Sequence, residues 1–164
     1  MLGGVSKLRY IFTFSTGLSI TRANLKDSGI PCVSYGEVHS KYGFEVSAEK
    51  HELKYVDESY LVSDKTSLIS KGDFIFADTS EDLEGAGNFT HLSGNIKVFA
   101  GYHTVIARQI NLNNYKFLAY LLDSQTFRNQ IQLSVKGVKV FSITQAILRN
   151  TISWLPPLSE QKII

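Results

Sequence analysis

The strongest periodicity in the chain lies between residues 113 and 131. Phe117, Leu118, Leu121 and Leu122 recur at helical spacing, so Asn113 to Asp123 is expected to form a helix with one apolar stripe. Ser124 restarts the pattern as an N-cap, and Phe127 and Ile131, four apart, stack on one face of a second helix. Phe74-Ile75-Phe76-Ala77, delivered by a Lys71-Gly72-Asp73 turn, is an apolar run of strand length with no polar face. It predicts a strand buried on both sides. His103 to Ile110 alternates instead: Thr104, Ile106, Arg108 and Ile110 share one face, and His103, Val105, Ala107 and Gln109 the other. Ile96 to Ala100 reads as the preceding strand, with Gly101-Tyr102 between the two. Leu53 to Val56 alternates over a shorter span, and Asp57 to Val62 opens a helical turn. Ile30 to Tyr35 reads as a strand with Pro31 at its start or at a sheet edge, because proline donates no ladder hydrogen bond. Ser6 to Phe12 fits a short helix or a strand equally.

The last thirty residues hold several short elements in series. Ser134 to Gly137 is a polar, basic turn, and Val138 to Phe141 is a β-prone run. Ser142-Ile143-Thr144-Gln145 reads as a capping box with Ser142 as N-cap, opening a short helix through Ala146, Ile147 and Leu148. Thr151 to Leu155 is expected to be a strand, ended by Pro156-Pro157. Leu158 to Ile164 then reads as a helix start with Ser159 as N-cap and Glu160 in the first turn. Three polar stretches read as loops: Phe14 to Asn24, Gly36 to Gly43, and the acidic Asp78 to Asn88. Phe74, Phe76, Leu118, Leu122, Ile147 and Leu148 are the expected core. The elements add up to one α+β domain over residues 1–157, a twisted, mostly antiparallel sheet with packed helices, followed by a truncated helix start at 158–164.

A chain of 164 residues buries enough surface for one core and too little for two comfortable ones. With 43% hydrophobic and 20% charged residues, it fits a globular domain. No apolar run approaches ~18 residues, so no membrane span is expected. Cys32 is the single cysteine, which excludes an intrachain disulfide and suits a reducing, cytoplasmic setting. It follows Pro31 in an apolar run and is expected to be a buried, inert thiol. A net charge of +2 leaves nucleic-acid binding open, since a local basic patch matters more than the total.

Most familiar catalytic constellations are missing. His39, His51, His91 and His103 contain no i, i+3 or i+4 pair and have no cysteine companion, which argues against zinc. His103 at a strand start reads as a hydrogen-bonded structural residue. Asp78, Glu81, Asp82 and Glu84 have oxygen ligands for a divalent metal but lack the spacing of a calcium loop. Asp78 and Ser80 suit the capping of backbone N–H groups just as well. Gly85-Ala86-Gly87 lacks the third glycine and the leading strand of a dinucleotide loop, and no Gly-Lys-Ser/Thr phosphate loop is present. No cofactor or metal is expected. What stands out is a set of polar loops that mix cations with hydroxyls. Thr21 and Arg22, Lys41 and Tyr42, and Ser134, Lys136 and Lys139 suit phosphate positioning and base-edge reading.

One resemblance runs through the whole order. Gly17 to Arg22, Tyr35-Gly36-Glu37, Lys71-Gly72-Asp73, Ala77 to Asp82, Ala100 to Thr104, Phe117 to Ser124 with Arg128, and the closing Pro156-Pro157-Leu158-Ser159-Glu160-Gln161 occur in the sequence expected of specificity (S) subunits of type I restriction–modification systems. Each motif is weak alone; their co-linear order is more specific. The resemblance implies a target recognition domain that binds one half of a bipartite double-stranded DNA site and positions methyltransferase (modification) subunits on it. Through those it would meet the restriction subunit, with possible pairing to a second half-subunit and no catalysis of its own. Complete S subunits resemble two such domains joined by long helices, whereas this chain holds one. The amino-methyltransferase Pro-Pro-aromatic motif is absent, since Pro156-Pro157 lies between leucines. A metal-dependent hydrolase built on Asp78 to Glu84, or a module whose loops bind a protein, are the readings from other classes.

Overall fold

The structure is a computed structural model and describes residues 4–40, 45–47, 51–135 and 140–162. Lys41, Tyr42, Lys136 and Lys139 lie outside the described residues. The strands are β1 Gly4–Lys7, β2 Phe12–Thr16, β3 Ile30–Val33, β4 Glu45–Val46, β5 Lys54–Val56, β6 Leu68–Ile69, β7 Phe74–Ala77, β8 Thr79–Ser80, β9 Phe89–Leu92, β10 Val98–Ala100, β11 Thr104–Gln109, β12 Phe141–Ser142 and β13 Ile152–Leu155. The helices are α1 Tyr35–Ser40, α2 Tyr60–Ser63, α3 Tyr115–Leu122, α4 Gln125–Ser134 and α5 Gln145–Asn150.

The expected α+β class holds, but the strands form two main sheets rather than one. A five-stranded sheet runs β2-β11-β7-β9-β4, antiparallel except for β4 against β9. A four-stranded sheet runs β5-β3-β10-β6, with β3 and β10 parallel. Two-stranded ladders join β1 to β13 and β8 to β12.

This layering explains why β7 has no polar face. Phe74 and Phe76 pack with Leu118, Leu122, Phe127, Ile131 and Leu148 on the helix side. Ile75 and Ala77 point into a second core with Val33, Val98 and Ile106, between the two sheets. Consecutive side chains of a strand take opposite faces, so a strand with a layer on each side must be apolar throughout. The alternation in β11 follows the same division, with Val105 and Ala107 on the helix side and Ile106 between the sheets. Arg108 closes the edge of that second core by donating to the carbonyls of Thr66 and Leu68. Beyond the four-stranded sheet, Leu18, Cys32, Val56 and Phe99 form a third cluster. Cys32 is fully buried there, and burial pushes its thiol up to about 12, so it holds no thiolate at neutral pH.

Helices α3 and α4 form where the apolar stripe and caps place them. Asn114 accepts from the N–H groups of Lys116 and Phe117, and Ser124 from that of Phe127. Asn114 has a second duty. Its own N–H donates to Gln161 Oε1 at 2.8 Å, and its Nδ2 to the Gln161 carbonyl at 3.0 Å. Gln161, itself buried, donates in turn through Nε2 to Asn113 Oδ1 and the Pro156 carbonyl. Asn114→Ala is therefore expected to lower stability by about 1–2 kcal/mol, the upper end for a cap. Thermal denaturation checks this, and an unchanged midpoint would mean that the cap and the Gln161 clasp are dispensable.

Several local expectations give way. The stretch read as a loop from Phe14 is β-strand to Thr16, because it pairs with β11 along its length. The loop expected from Gly36 is helix α1, held by Val38, which is buried against the inter-sheet core and overrides the poor helix propensity of glycine. Tyr35 accordingly belongs to that helix and not to β3. Ser142 is not the N-cap of α5. It pairs with Thr79 in the β8–β12 ladder, and Thr144 caps instead, accepting from the N–H of Ile147. Ser159 makes no cap either, since Leu158–Glu160 form a single 3-10 turn behind Pro157. Ile147 is partly buried against the core, not enclosed in it.

Candidate nucleic-acid interface

Among the expected site residues, Thr21 and Arg22 lie on the exposed face of the loop that follows β2. The loop is held at its start, and again near its end where Lys26 N–H donates to the Tyr55 carbonyl. Gly17 N–H donates to the Thr104 carbonyl and Leu18 N–H to the Ala100 carbonyl, laying the chain directly across the β10–β11 turn. Thr21 N–H donates to Asn24 Oδ1 at 2.9 Å, and Arg22 to Asn24 make one 3-10 turn. Arg22 forms no ion pair among the described residues, whereas Lys26 pairs with Asp57, Arg108 with Asp73 and Arg128 with Asp123. Lys71 sits over the Tyr115 ring, and Arg9 and Arg149 donate to Asn150 and Gln145. Those cations serve the frame, whereas Arg22, like several exposed lysines, is available to a ligand.

Ser134 is placed differently. It ends α4, and its hydroxyl donates to the Gln130 carbonyl at 2.8 Å. It borders a groove with Leu133, Ala146 and Asn150, and no contact among the described residues joins it to Thr21 or Arg22. The segment 136–139 is flanked by Ser134 on one side and by β12 on the other. β12 pairs with β8, and the Ile143 N–H that follows it donates to the Asp78 carbonyl.

Residues far apart in the chain meet beside that ladder. Across the end of the five-stranded sheet lie the turn Gly101-Tyr102-His103, the first turn of α1 and Asp78. Tyr35 meets Tyr102 at 5.7 Å and His103 at 5.2 Å between ring centres, both edge-on. His103 Nδ1 is 3.1 Å from Asp78 Oδ1. The Tyr102 hydroxyl is held above its ordinary pKa chiefly by burial, then by Glu37 and Tyr35, while the nearby Arg22 charge pulls the other way. Arg22, Tyr102, His103 and β12 therefore follow one another along a single rim.

His39 belongs to the support of this rim. Arg128 donates to Asn88 Oδ1, which turns Asn88 Nδ2 toward His39 Nδ1 at 2.9 Å, and His39 Nε2 donates to the Thr79 carbonyl at 2.7 Å. Since Arg128 only donates, Asn88 presents its amide N–H₂ to His39 Nδ1. The acidic loop is likewise tied up locally. Asp82 Oδ1 accepts from Gly85 N–H, and Ser80 donates to the Asp82 carbonyl and accepts from its N–H. Among the described residues the Asp78 side chain caps no backbone N–H; it accepts from Thr79 and His103 instead. Among the described residues, no group of three His, Cys, Asp or Glu side chains is placed to hold a metal ion, and no helix is long and apolar enough to cross a membrane.

Nothing local in the sequence distinguishes Tyr35, Tyr102 and His103 from core aromatics. The only sequence signal was their place in two of the ordered motifs.

No curated protein matches the sequence. Solved structures do. The S subunit of a type I restriction-modification system from M. genitalium is 13% identical, with a TM-score of 0.60 over 97% of this chain and 36% of that one. The HsdS subunit from Thermoanaerobacter tengcongensis is 16% identical, with a TM-score of 0.66 over 97% and 34%. A chain from a study of complex assembly and conformational transition of the type I R-M system is 17% identical, with a TM-score of 0.66 over 97% and 35%. At such identities the likeness is one of fold, and this chain spans about a third of those it matches. The sequence itself goes further, since residues 4–164 match the family model of the type I restriction modification DNA specificity domain. Family model and shared fold run over nearly the same residues, and the chain belongs to the type I restriction modification DNA specificity domain family.

Proposed function

We propose that this domain recognises one half of a bipartite duplex DNA target and positions methyltransferase subunits there, without catalysis or a cofactor of its own. The observation that carries the reading is the family match along residues 4–164. The exposed, unpaired Arg22 on a loop clamped to the frame supports it, because a cation held on a rigid scaffold suits a fixed register on DNA. We assign the DNA-facing surface to Thr21, Arg22, Lys41, Tyr42, Ser134, Lys136 and Lys139. Residues 1–157 act as the target recognition domain, and 158–164 lead into a spacer helix. The modification subunits, the restriction subunit through them, and a second half-subunit are the proposed protein partners.

A binding selection on random duplex DNA, followed by a salt series, tests this. Affinity should fall with salt as phosphate contacts release counterions. Lys136→Ala and Lys139→Ala should each weaken selected and scrambled duplexes alike and lower the salt slope by roughly one, while Arg22→Ala relaxes preference at one base pair. If both lysine variants keep affinity and slope, the DNA lies on another face. If no duplex is preferred by the unaltered chain, the recognition reading itself fails.

A further inference from the structure

Resting on that DNA-recognition reading, we propose that His103, held by Asp78 at the turn between β10 and β11, reads a base edge by accepting a hydrogen bond from the amino group of adenine or cytosine. The argument begins with the backbone. His103 is the one non-glycine among the described residues at positive φ, +54°. Glycine adopts this conformation without the clash that a Cβ brings, so the imidazole gives the turn no conformational advantage. Departures of this kind gather at sites where a side chain must be presented.

The ring is also oriented. Its Nδ1 faces Asp78 Oδ1 at 3.1 Å, and Asp78 is fixed in turn. Asp78 accepts from Thr79 Oγ1 at 2.7 Å, its N–H donates to the His103 carbonyl at 3.0 Å, and its carbonyl accepts from Ile143 N–H at 2.8 Å. Tyr35 and Tyr102 meet the imidazole edge-on. In the neutral ring, a carboxylate at Nδ1 keeps the single proton there and leaves Nε2 as the acceptor. Nε2 has no partner among the described residues, and the His103 side chain is 59% exposed. A buried structural histidine would satisfy both nitrogens internally; this one satisfies one and offers the other.

The setting suits a base edge. His103 and Asp78 border a cleft of about 350 Å³ whose wall mixes the uncharged polar Thr16, Thr79, Ser142 and Gln145 with the apolar Val105 and Ile143. Arg22, an exposed cation with no ion pair among the described residues, lies beyond Tyr102 on the same rim. In the major groove only adenine and cytosine present an amino donor, so an orphan acceptor distinguishes them from thymine and guanine.

His103→Gly separates recognition from folding, because glycine relaxes the turn. Binding of the unaltered chain and the variant would be compared on the selected duplex and on duplexes changed at each position in turn. The variant should melt no lower than the unaltered chain and keep its affinity for scrambled duplex and its salt slope. Its discrimination at one A·T or G·C pair should fall by about tenfold. Asp78→Asn should lose part of the preference at that same pair. The assignment is overturned if His103→Gly keeps its discrimination at every position, or if it weakens all duplexes equally. An unaltered chain that prefers no duplex sinks the DNA reading, and this assignment with it; that result differs visibly from a loss confined to the variant.

Discussion

Gly17→Ala is expected to destabilise the domain by about 3 kcal/mol and to abolish the sequence preference carried by Arg22. A Cβ at residue 17 would meet Thr104 Oγ1 at 2.1 Å, the Gly101 carbonyl oxygen at 2.5 Å and the Ala100 carbonyl oxygen at 2.9 Å. Two of these are backbone atoms of the turn that carries Tyr102 and His103. The third is committed to the same turn, since Thr104 Oγ1 donates to the Gly101 carbonyl at 2.8 Å. None of them is the free end of a flexible side chain, so the loop must lift off the turn. Lifting it stretches the bonds from Gly17 to Thr104 and from Leu18 to Ala100, and withdraws Leu18 from the third apolar cluster. Urea denaturation reports the stability, and binding to the selected duplex reports the displacement of Arg22. A cost below about 1 kcal/mol would show that the crossing is looser than these distances indicate.

Phe74→Ala is expected to cost about 3–5 kcal/mol, as for a large aromatic removed from a core that cannot collapse around the gap. Phe74 is fully buried in a central strand. Its ring lies 5.6 Å from Phe12, 6.0 Å from Phe89 and 5.6 Å from His91. Those neighbours come from β2 and β9, which flank β11 and β7 in the sheet, and ladder pairing fixes them in place. Ile75→Val on the same strand probes the other layer and should cost only about 0.5–1.5 kcal/mol. Denaturant midpoints at unchanged m-value would measure both. A Phe74→Ala cost under 2 kcal/mol would mean that the helix-side core repacks freely. Neither change touches a cation, so the salt slope of DNA binding should stay the same.

These two positions show how differently the fold and the candidate site can be read from a sequence. Phe74 was expected in the core because an unbroken apolar run has one economical solution, burial on both faces. The structure supplies a layer on each side. Gly17 carried no comparable sign. Its role depends on a chain crossing between residues more than eighty positions apart.

The same contrast divides the rest of the chain. The sequence by itself determined the elements whose signal is local: α3 with its stripe, α4 with its Ser124 cap, the two-faced strand β7 and the alternation of β11. In each, the periodicity of one segment contains the information, because a helix or strand repeats its own face along its own length. The ordered motifs in addition carried the family. Tertiary structure alone decided the rest. It turned the stretch after Ser34 into a helix around buried Val38, moved the α5 cap from Ser142 to Thr144, and folded Gln161 back onto Asn114. It also brought Asp78 to His103 and set Tyr35 and Tyr102 around them. Those residues lie on separate elements, and their hydrogen-bonding capacity reads the same whether a partner is present or not. Only the stacking of two sheets, which no single segment encodes, gives each of them a neighbour and leaves His103 Nε2 facing outward.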